Sequence, residues 1–484
     1  MTRIFRSLHC LSFRNAALSL LLTLLLIPSS AQAQFGGGGF GGGLGGGGLG
    51  GGGLGGGGLG GGGLGGVGGI LIDPQGIVSL KKERPIPAAA LKKQLNQFAQ
   101  SKLPANVIVE TPERILSLKN LETLIAPHIE SRNDLPLEIL CLAGMQRIDA
   151  VIFDPERQDV YLAGPAEAFG PNGQGHMVGV NSQRPVLLLE DLLTALRGIQ
   201  PGEMTIGCSI DPTPEKMRAL QDYLRQNSTP AGAGQVQQRF RVMANVLGNQ
   251  EISVWGVPAD SHFALTLVEA DIRMKRISLG LDRAAVPGIR SHLSMLRPQG
   301  NSLQRWWFVP MYEPLETNQN QTVFELSGQR AKLLAQEEIS DAGGQRSDAA
   351  LTRQSTEKFA QLFTEHFQEL ADKSAPFAEL QNLYDLAVVA ALIRTVGPRH
   401  LGAAPFPLLL SEEKLPLPRY AVPKSLPSAS TFRAAGAGTM LGLVGGVTMD
   451  LKPVIRNPRP NAQSTLSSYR NAVGSQTLFG DAQK

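Results

Sequence analysis

The sequence predicts an α+β protein, and three observations lead to that fold class. Short apolar segments flanked by turn residues indicate β-hairpins, and other segments carry apolar residues at helical spacing. The two kinds of segment alternate through residues 70–396, as expected for mixed sheets and helices in one or two packed units. A glycine-rich stretch precedes this region and a proline-rich stretch follows it, so we expect a disordered lead and a disordered tail.

The first predicted block, residues 70–227, is an α+β domain. Its elements, in chain order, are a hairpin at 70–80, helices at 88–103 and 117–131, a hairpin at 147–165, a helix at 185–196, a strand at 204–211 and a helix at 214–224. Turn sequences separate the arms of each hairpin, Pro74-Gln75-Gly76 in the first and Asp154-Pro155-Glu156 in the second. Residues 228–235 (STPAGAGQ) have the composition of a linker.

The second block, residues 236–396, is richer in helix. Its predicted elements are a helix at 238–247, a strand at 251–257 and a helix at 261–279 capped by Asp260 or Ser261. Strands at 306–312 and 322–326, on either side of an Asn-Gln-rich turn at 318–321, and helices at 356–371 and 378–393 follow. The last helix contains LAVVAALI, too short to span a bilayer and typical of a buried core helix. Residues 397–484 predict a largely disordered tail, with one candidate edge strand at 440–451.

Residues 1–33 have the pattern of a cleavable secretory signal peptide. Arginines precede an apolar run at 16–27, and Ala31-Gln32-Ala33 supplies the small residues that a signal peptidase needs. The run is shorter than the roughly 20 residues of a membrane span. We therefore expect export to the periplasm, cell envelope or exterior, cleavage after Ala33, and no transmembrane span in the mature chain.

Residues 34–69 form a glycine tract with a leucine at every fifth position from Leu44 to Leu64. This spacing aligns the leucines on neither a helix nor a strand, and glycine has the largest entropy cost of ordering. The tract therefore favours a flexible tether, with weak self-association through the leucines as the alternative.

The charge of the mature chain argues against nucleic acid as a partner. The whole chain has a formal net charge of +4, and three arginines lie in the signal peptide, which leaves about +1. A near-neutral surface offers no electrostatic footprint for a polyanion. Cys141 and Cys208 remain after cleavage, and the oxidising compartment leaves two alternatives open: a disulfide between them or two buried free thiols.

No spacing in the sequence predicts a metal site, a cofactor site or a nucleophile elbow. The candidate exposed-site residues are therefore single residues: Trp306 and Trp307, of which one must point out from an alternating strand, the histidines His262 and His292, and the acid Glu325. If they met in one cleft, they could bind a sugar or a peptide, or supply carboxylate and histidine chemistry. The alternative is that they scatter into core and solvent.

Several longer strings resemble a known family. LCLAGMQRIDAVIFDPERQDVYLAGPAEAF at 140–169, CSIDPTPEKM at 208–217 and the segment 242–281 are similar to exported planctomycete proteins with a domain of unknown function. The resemblance covers about residues 69–395 and implies a bacterial envelope or extracellular setting, with no assigned active site.

The function class that fits these observations is a non-catalytic binding or structural protein outside the cytoplasm. Its partner is unknown and could be an envelope component or a second copy of the chain. The alternative is an exported hydrolase with an unrecognised carboxylate and histidine site.

Overall fold

A computed structural model describes residues 68–81, 86–229, 233–296, 303–341, 343–402, 405–432, 439–441, 444–461, 466–474 and 476–482. The predicted signal peptide and all but the last two residues of the glycine tract lie outside these ranges. Helix makes up 40% and strand 25% of the structure, so neither dominates and the predicted α+β class is confirmed.

Strands occur from one end of the described region to the other. They are β1 (Ile70–Ile72), β2 (Val78–Leu80), β3 (Thr111–Ser117), β4 (Ala150–Asp154), β5 (Asp159–Ala166), β6 (Phe169–Pro171), β7 (Met177–Gly179), β8 (Thr205–Asp211), β9 (Asn249–Trp255), β10 (Leu303–Met311), β11 (Glu316–Thr317), β12 (Val323–Glu325), β13 (Arg330–Ser340), β14 (Arg346–Asp348), β15 (Ser425–Pro427), β16 (Ser430–Phe432), β17 (Thr439–Leu441), β18 (Val444–Asp450), β19 (Arg459–Pro460) and β20 (Phe479–Asp481).

The α-helices of the same region vary from one turn to 21 residues. They are α1 (Ala88–Lys102), α2 (Ala105–Ile108), α3 (Leu118–Ser131), α4 (Leu137–Leu140), α5 (Leu189–Gly198), α6 (Pro214–Gln226), α7 (Ala233–Leu247), α8 (His262–Ser278), α9 (His292–Met295), α10 (Gln354–Glu365), α11 (Phe367–Lys373), α12 (Ala375–Thr395), α13 (Gly397–Leu401), α14 (Lys452–Ile455) and α15 (Leu466–Ala472).

Two seven-stranded sheets organise the fold. Sheet I has the order β14-β13-β10-β18-β8-β9-β15, and sheet II has the order β19-β11-β12-β4-β5-β3-β20. Both are mixed, because β10 runs parallel to β18 and β11 runs parallel to β19, whereas the other pairs are antiparallel. Each sheet contains strands from both predicted blocks and from the tail, so the blocks 70–227 and 236–396 interleave instead of folding side by side.

The C-terminal region differs most from its prediction of disorder. The strand β18 lies in the middle of sheet I, between β10 and β8, and β20 lies at one edge of sheet II. Glycines allow this central position: a Cβ atom on Gly445 (φ +131°) would lie 1.8 Å from the carbonyl oxygen of Trp306, and one on Gly446 would lie 1.8 Å from that of Cys208. The pattern at 440–451 indicated an edge strand, and the structure has a central one.

Two other local predictions need correction. The strands near 306–312 and 322–326 do not pair across a turn, because β10 pairs with β13 in sheet I whereas β12 pairs with β4 in sheet II. The helix expected from residue 185 begins at Leu189, so Pro185 precedes it instead of occupying its first turn. The hairpins β1–β2 and β4–β5 form as predicted.

The helix α12 lies at the centre of the core. Its residues from Phe377 to Ile393 are all buried, and it packs against α5 and α8. A helix that is apolar on all sides must be surrounded by protein, which agrees with the prediction of a core helix. Among the described helices, none has the length together with the apolar character that a bilayer crossing requires.

Candidate functional site

A histidine and a carboxylate pair where the N-terminal ends of two core helices meet. His262 is the first residue of α8, which Ser261 caps by accepting a hydrogen bond from the amide of Ala264. Its Nδ1 atom lies 3.0 and 2.9 Å from the two carboxylate oxygens of Asp191, in the first turn of α5. Both side chains are nearly inaccessible, with 7% and 6% of their surface exposed.

A second pair of the same type lies near the first. Nδ1 of His176, in the turn before β7, lies 2.7 Å from Oε1 of Glu379 on α12. The amide of His176 donates to Oδ1 of Asn172, which holds this turn in place. Glu379 also acts on the pKa of His262, so the two pairs form one electrostatic unit.

Two further acids border the pairs. Oε1 and Oε2 of Glu190 accept from the hydroxyl of Tyr420 at 3.2 and 3.0 Å, and Glu269 lies two turns along α8 from His262. Glu269 is buried and is paired with Arg273 at 3.3 Å. The His176–Glu379 and His262–Asp191 pairs together with Glu190 and Glu269 are called the histidine–carboxylate cluster below.

The pairing determines where the cluster holds protons. Burial lowers the pKa of His262, but the carboxylates, Asp191 first, outweigh burial and raise it to about 10. Burial raises the pKa of Asp191, so both members of this pair hold a proton more tightly than they would in water. In the second pair, the pKa of His176 is raised because Glu379 outweighs burial, and the pKa of Glu379 is lowered because His176 outweighs burial. Each histidine therefore holds its proton more tightly than a free imidazole does, because a buried carboxyl group faces its Nδ1 atom.

The end of the glycine tract lies directly against this cluster. The amide of Gly69 donates to Oε2 of Glu269 at 2.8 Å, and the carbonyl of Gly68 accepts from Nζ of Lys81 at 2.6 Å. A Cβ atom on Gly68 would lie 2.4 Å from the Glu269 carboxylate, and one on Gly69 would lie 2.3 Å from both Glu269 and Arg273. Only glycine fits here without displacing the cluster.

The histidine and carboxyl groups of the cluster can carry charge and can transfer protons to one another. A histidine hydrogen-bonded to a carboxylate is the unit that general acid–base catalysis uses, and a second acid beside it can tune its pKa. In the described part of the chain, no group of three or more His, Cys, Asp or Glu side chains is arranged to hold a metal ion.

Of the residues singled out from the sequence, only His262 belongs to the cluster. Trp306 and His292 lie elsewhere, in contact with each other at a ring-centroid distance of 5.0 Å, and both are buried. Burial lowers the pKa of His292 to about 4, so it is a neutral core residue at physiological pH. The indole Nε1 of Trp306 donates to the carbonyl of Thr356 at 3.3 Å.

The two remaining candidates occupy two further places. Trp307 points to the opposite face of β10 from Trp306, is half-buried, and has the guanidinium of Arg305 4.8 Å from its ring centroid. Glu325 lies in β12 of sheet II, where Asn461 donates to it at 3.4 Å. The five candidates therefore do not share one cleft.

Cys141 and Cys208 are both free and buried, so of the two alternatives left by the sequence the structure has the free thiols and not the disulfide. Cys141 follows α4, whereas Cys208 lies within β8. Burial raises the pKa of both thiols far above the ordinary range, which makes them poor nucleophiles.

Sequence reasoning missed the partners of His262, although a signal was present. Asp191 and Glu190 interrupt the apolar run LLLEDLLTAL, and Glu379 interrupts the longer run from Phe377 to Ile393. An acid on the apolar face of a core helix needs a buried partner, because burying an isolated charge is costly. The identity of that partner depends on contacts between residues 71 to 203 positions apart.

Two open cavities lie away from the cluster. One, of about 730 Å³, is formed by the chain between Ile277 and Ser294, after α8. The other, of about 480 Å³, lies between the end of α12 and α14.

Comparison with known families matches part of the chain. A family model described as a protein of unknown function (DUF1598) matches residues 208–292, from the middle of β8 to the first residue of α9. The match includes His262, Glu269 and the loop of the larger cavity, whereas Asp191, His176 and Glu379 lie outside it. No curated protein and no solved structure matches the chain.

Proposed function

We propose that this chain is an exported protein of the cell envelope or exterior that binds or scaffolds a partner and does not turn over a substrate. The observation that carries the proposal is the junction between the glycine tract and the body. Gly68 and Gly69 are bound by Lys81 and Glu269, so the lead begins from a defined point on a folded core.

The cluster serves as the anchor in this proposal. The His262–Asp191 pair joins the N-terminal ends of α8 and α5, the His176–Glu379 pair joins the turn before β7 to α12, and Glu269 on α8 binds the Gly69 amide. Paired charges of this kind favour one arrangement of the helices over others, since any other arrangement leaves a buried charge without a partner. A pull on the lead would therefore act on α8 through Glu269, and on α5 through the His262–Asp191 pair.

The sequence supports the exported setting. The pattern of residues 1–33 is that of a secretory signal, the tract at 34–69 has the composition of a tether, and the resemblance to exported planctomycete proteins implies the same compartment. An envelope component or a second copy of the chain is the proposed partner.

Expression of the full chain in a Gram-negative host, followed by fractionation and N-terminal sequencing, tests export. We expect the product outside the cytoplasm with Gln34 as its first residue. Retention in the cytoplasm with residues 1–33 intact would contradict this part of the proposal.

Incubation of the purified mature chain with envelope fractions, wall glycan and itself tests binding. Two variants separate the role of the lead from that of the body: one lacks residues 36–67, and the other keeps the tract length but carries Leu→Gly at every leucine of the tract, namely Leu44, Leu49, Leu54, Leu59 and Leu64. A tether predicts that the Leu→Gly variant binds like the wild type. A mature chain that elutes alone in every condition would refute the binding proposal.

One observation favours a hydrolase as a second candidate. His262 and Asp191, with Glu190 adjacent, supply the proton donor, the orienting acid and the second acid of an acid–base site. A panel of ester, peptide and glycoside substrates, assayed with the wild type and with His262→Gln, distinguishes the candidates. Turnover that His262→Gln abolishes while the variant keeps the wild-type circular dichroism spectrum would establish the hydrolase.

A further inference from the structure

A cavity of about 480 Å³ lies at the C-terminal end of α12, away from the cluster. Its walls come from separate parts of the chain: Val396 after α12, Arg399 on α13, Phe324 on β12, and Lys452 on α14. A volume of this size is within the range of small-molecule sites. Walls contributed by four elements make it a feature of the tertiary fold and not of one loop.

The floor of the cavity is apolar. Phe324, Val396 and Met204 are buried core residues that present part of their surface to it, and Ile455 is half-buried at its side. Apolar surface of this kind binds hydrocarbon, because its removal from water is favourable by about 25 cal/mol per Å².

The rim of the cavity is cationic. Arg399, Lys452 and Arg456 line it and are exposed, and no aspartate or glutamate is among the lining residues that the structure describes. Arg399 donates through Nη1 to Oε1 of Gln321 at 3.0 Å, a neutral partner. The side chains of Lys452 and Arg456 make no ion pair with described residues.

This rim contrasts with several arginines elsewhere on the surface that are paired with acids. Arg276 pairs with Asp282 at 2.7 Å, Arg346 pairs with Asp211 at 3.0 Å, and Arg470 pairs with Asp154 at 2.7 Å. No acid is among the described residues that line the cavity, and the nearby Asp450 carboxylate accepts from the backbone amide of Lys452 at 3.2 Å. The three like charges of the rim therefore repel one another and attract an anion. The rim therefore has the electrostatic complement of an anionic group.

We propose that this cavity binds a small amphiphilic anion, with its apolar body on the floor and a carboxylate or phosphate group at the Arg399, Lys452 and Arg456 rim. The apolar floor disfavours a purely polar polyanion, and the cationic rim disfavours a neutral lipid. The site is independent of the lead anchor, since roughly 25 Å of helix separates Glu379 from Val396 at 1.5 Å per residue.

Isothermal titration calorimetry of the mature full chain with decyl phosphate, decanoate, inorganic phosphate and decanol tests the proposal. We expect decyl phosphate or decanoate to bind more tightly than decanol and inorganic phosphate, with an affinity that falls as ionic strength rises. The two anionic probes identify whether the rim prefers phosphate or carboxylate.

The variant Arg399→Gln/Lys452→Gln/Arg456→Gln removes the rim charges and is expected to weaken the tighter anionic probe by on the order of tenfold or more. The matched control, Lys92→Gln/Lys93→Gln/Lys102→Gln, removes the same charge from exposed positions on α1 and should bind like the wild type. Equal affinity of wild type and rim variant, or inorganic phosphate binding as tightly as decyl phosphate, would overturn the proposal. So would a wild-type chain that binds neither anionic amphiphile.

Discussion

Replacing Asp191 by Asn tests whether the histidine–carboxylate cluster holds the core helices together. The substitution keeps the size of the side chain and replaces the carboxyl group that lies 2.9 Å from Nδ1 of His262 by a neutral amide. Because the side chains are only 6–7% exposed, water cannot replace the lost partner. Breaking a buried ion pair by removing one member costs about 3–5 kcal/mol. Glu190 and Glu379 still face His262, so we expect the lower part of that range, about 3 kcal/mol.

The pKa shifts of this pair determine how the destabilisation by Asp191→Asn changes with pH. The folded-state pKa of His262 is raised to about 10 from its ordinary 6.5, so the stabilisation is fully present below pH 6.5 and is lost as the pH rises towards 10. The raised pKa of Asp191 acts in the same direction. The destabilisation by Asp191→Asn should therefore be largest near pH 6 and should shrink as the pH approaches 10.

Urea unfolding followed by tryptophan fluorescence and by far-UV circular dichroism, at pH 6 and at pH 9.5, measures the effect. The control Asp222→Asn removes an acid paired with Arg225 on the surface, where both side chains are about half exposed, and should change the free energy of unfolding by less than about 0.5 kcal/mol. The double variant Asp191→Asn/His262→Gln should recover part of the loss, since it leaves no unpaired imidazolium. A loss below about 1 kcal/mol at pH 6, or one independent of pH, would refute the reasoning.

Three further predictions follow from other buried groups. Cys141 and Cys208 should resist a thiol reagent at pH 8 in the native protein and titrate as two thiols after denaturation without reductant; fewer than two would contradict the free-thiol assignment. Gly445→Ala should destabilise the fold by more than about 3 kcal/mol in urea unfolding, because a Cβ there meets a carbonyl oxygen of β10 at 1.8 Å; an unchanged midpoint would exclude β18 from the centre of sheet I. Asp385→Asn should cost about 3 kcal/mol, the lower end of the range for a broken buried pair, because buried Arg330 loses its partner at 3.0 Å and keeps only the more exposed Asp149 at 3.2 Å; a loss of a few tenths of a kcal/mol would show that the pair is solvated.

The local elements were predictable because their signals are local. The helix α8 begins one residue after the expected cap, since Ser261 directly precedes an apolar-periodic run, and its hydroxyl accepts from the Ala264 amide. The hairpin β4–β5 follows from an apolar run on each side of a turn, and its register places Asp154 opposite Asp159. Neither the helix α8 nor the β4–β5 hairpin requires a long-range contact to be predicted.

The pairing of strands was not predictable from such signals. The sequence around β10 and β12 indicates two neighbouring strands, yet these strands belong to different sheets and each pairs with a segment remote in sequence. A strand pattern shows which face is apolar, and it carries no information on which edge of which sheet accepts the strand. The tail strand β18 is the extreme case, because its partners β10 and β8 both precede it by many residues.

Of the six residues of the histidine–carboxylate cluster, only His262 was predicted from the sequence as a candidate site residue. His262 could be identified because a histidine at the start of a core helix is a residue type with a chemical role. Its partner Asp191 and the pair His176–Glu379 come from elements that meet only when α5, α8 and α12 pack together. The proposed anion site was not predictable at all, since Arg399 and Lys452 lie in a region whose composition indicates disorder.

Glycine has two opposite uses in this chain. The run of glycine at 34–69 predicts a flexible lead, because glycine has the largest entropy cost of ordering. The same residue is also the only one that permits two groups to approach within the space of a Cβ atom, as Gly69 does at Glu269 and Gly445 does at Trp306. Composition alone cannot distinguish a glycine in a flexible segment from a glycine in close contact, since the two differ only in whether another group lies where a Cβ atom would be. At Gly69 that group is the buried carboxylate of Glu269, which accepts a hydrogen bond from the Gly69 amide, so the end of the tract is bound to the histidine–carboxylate cluster.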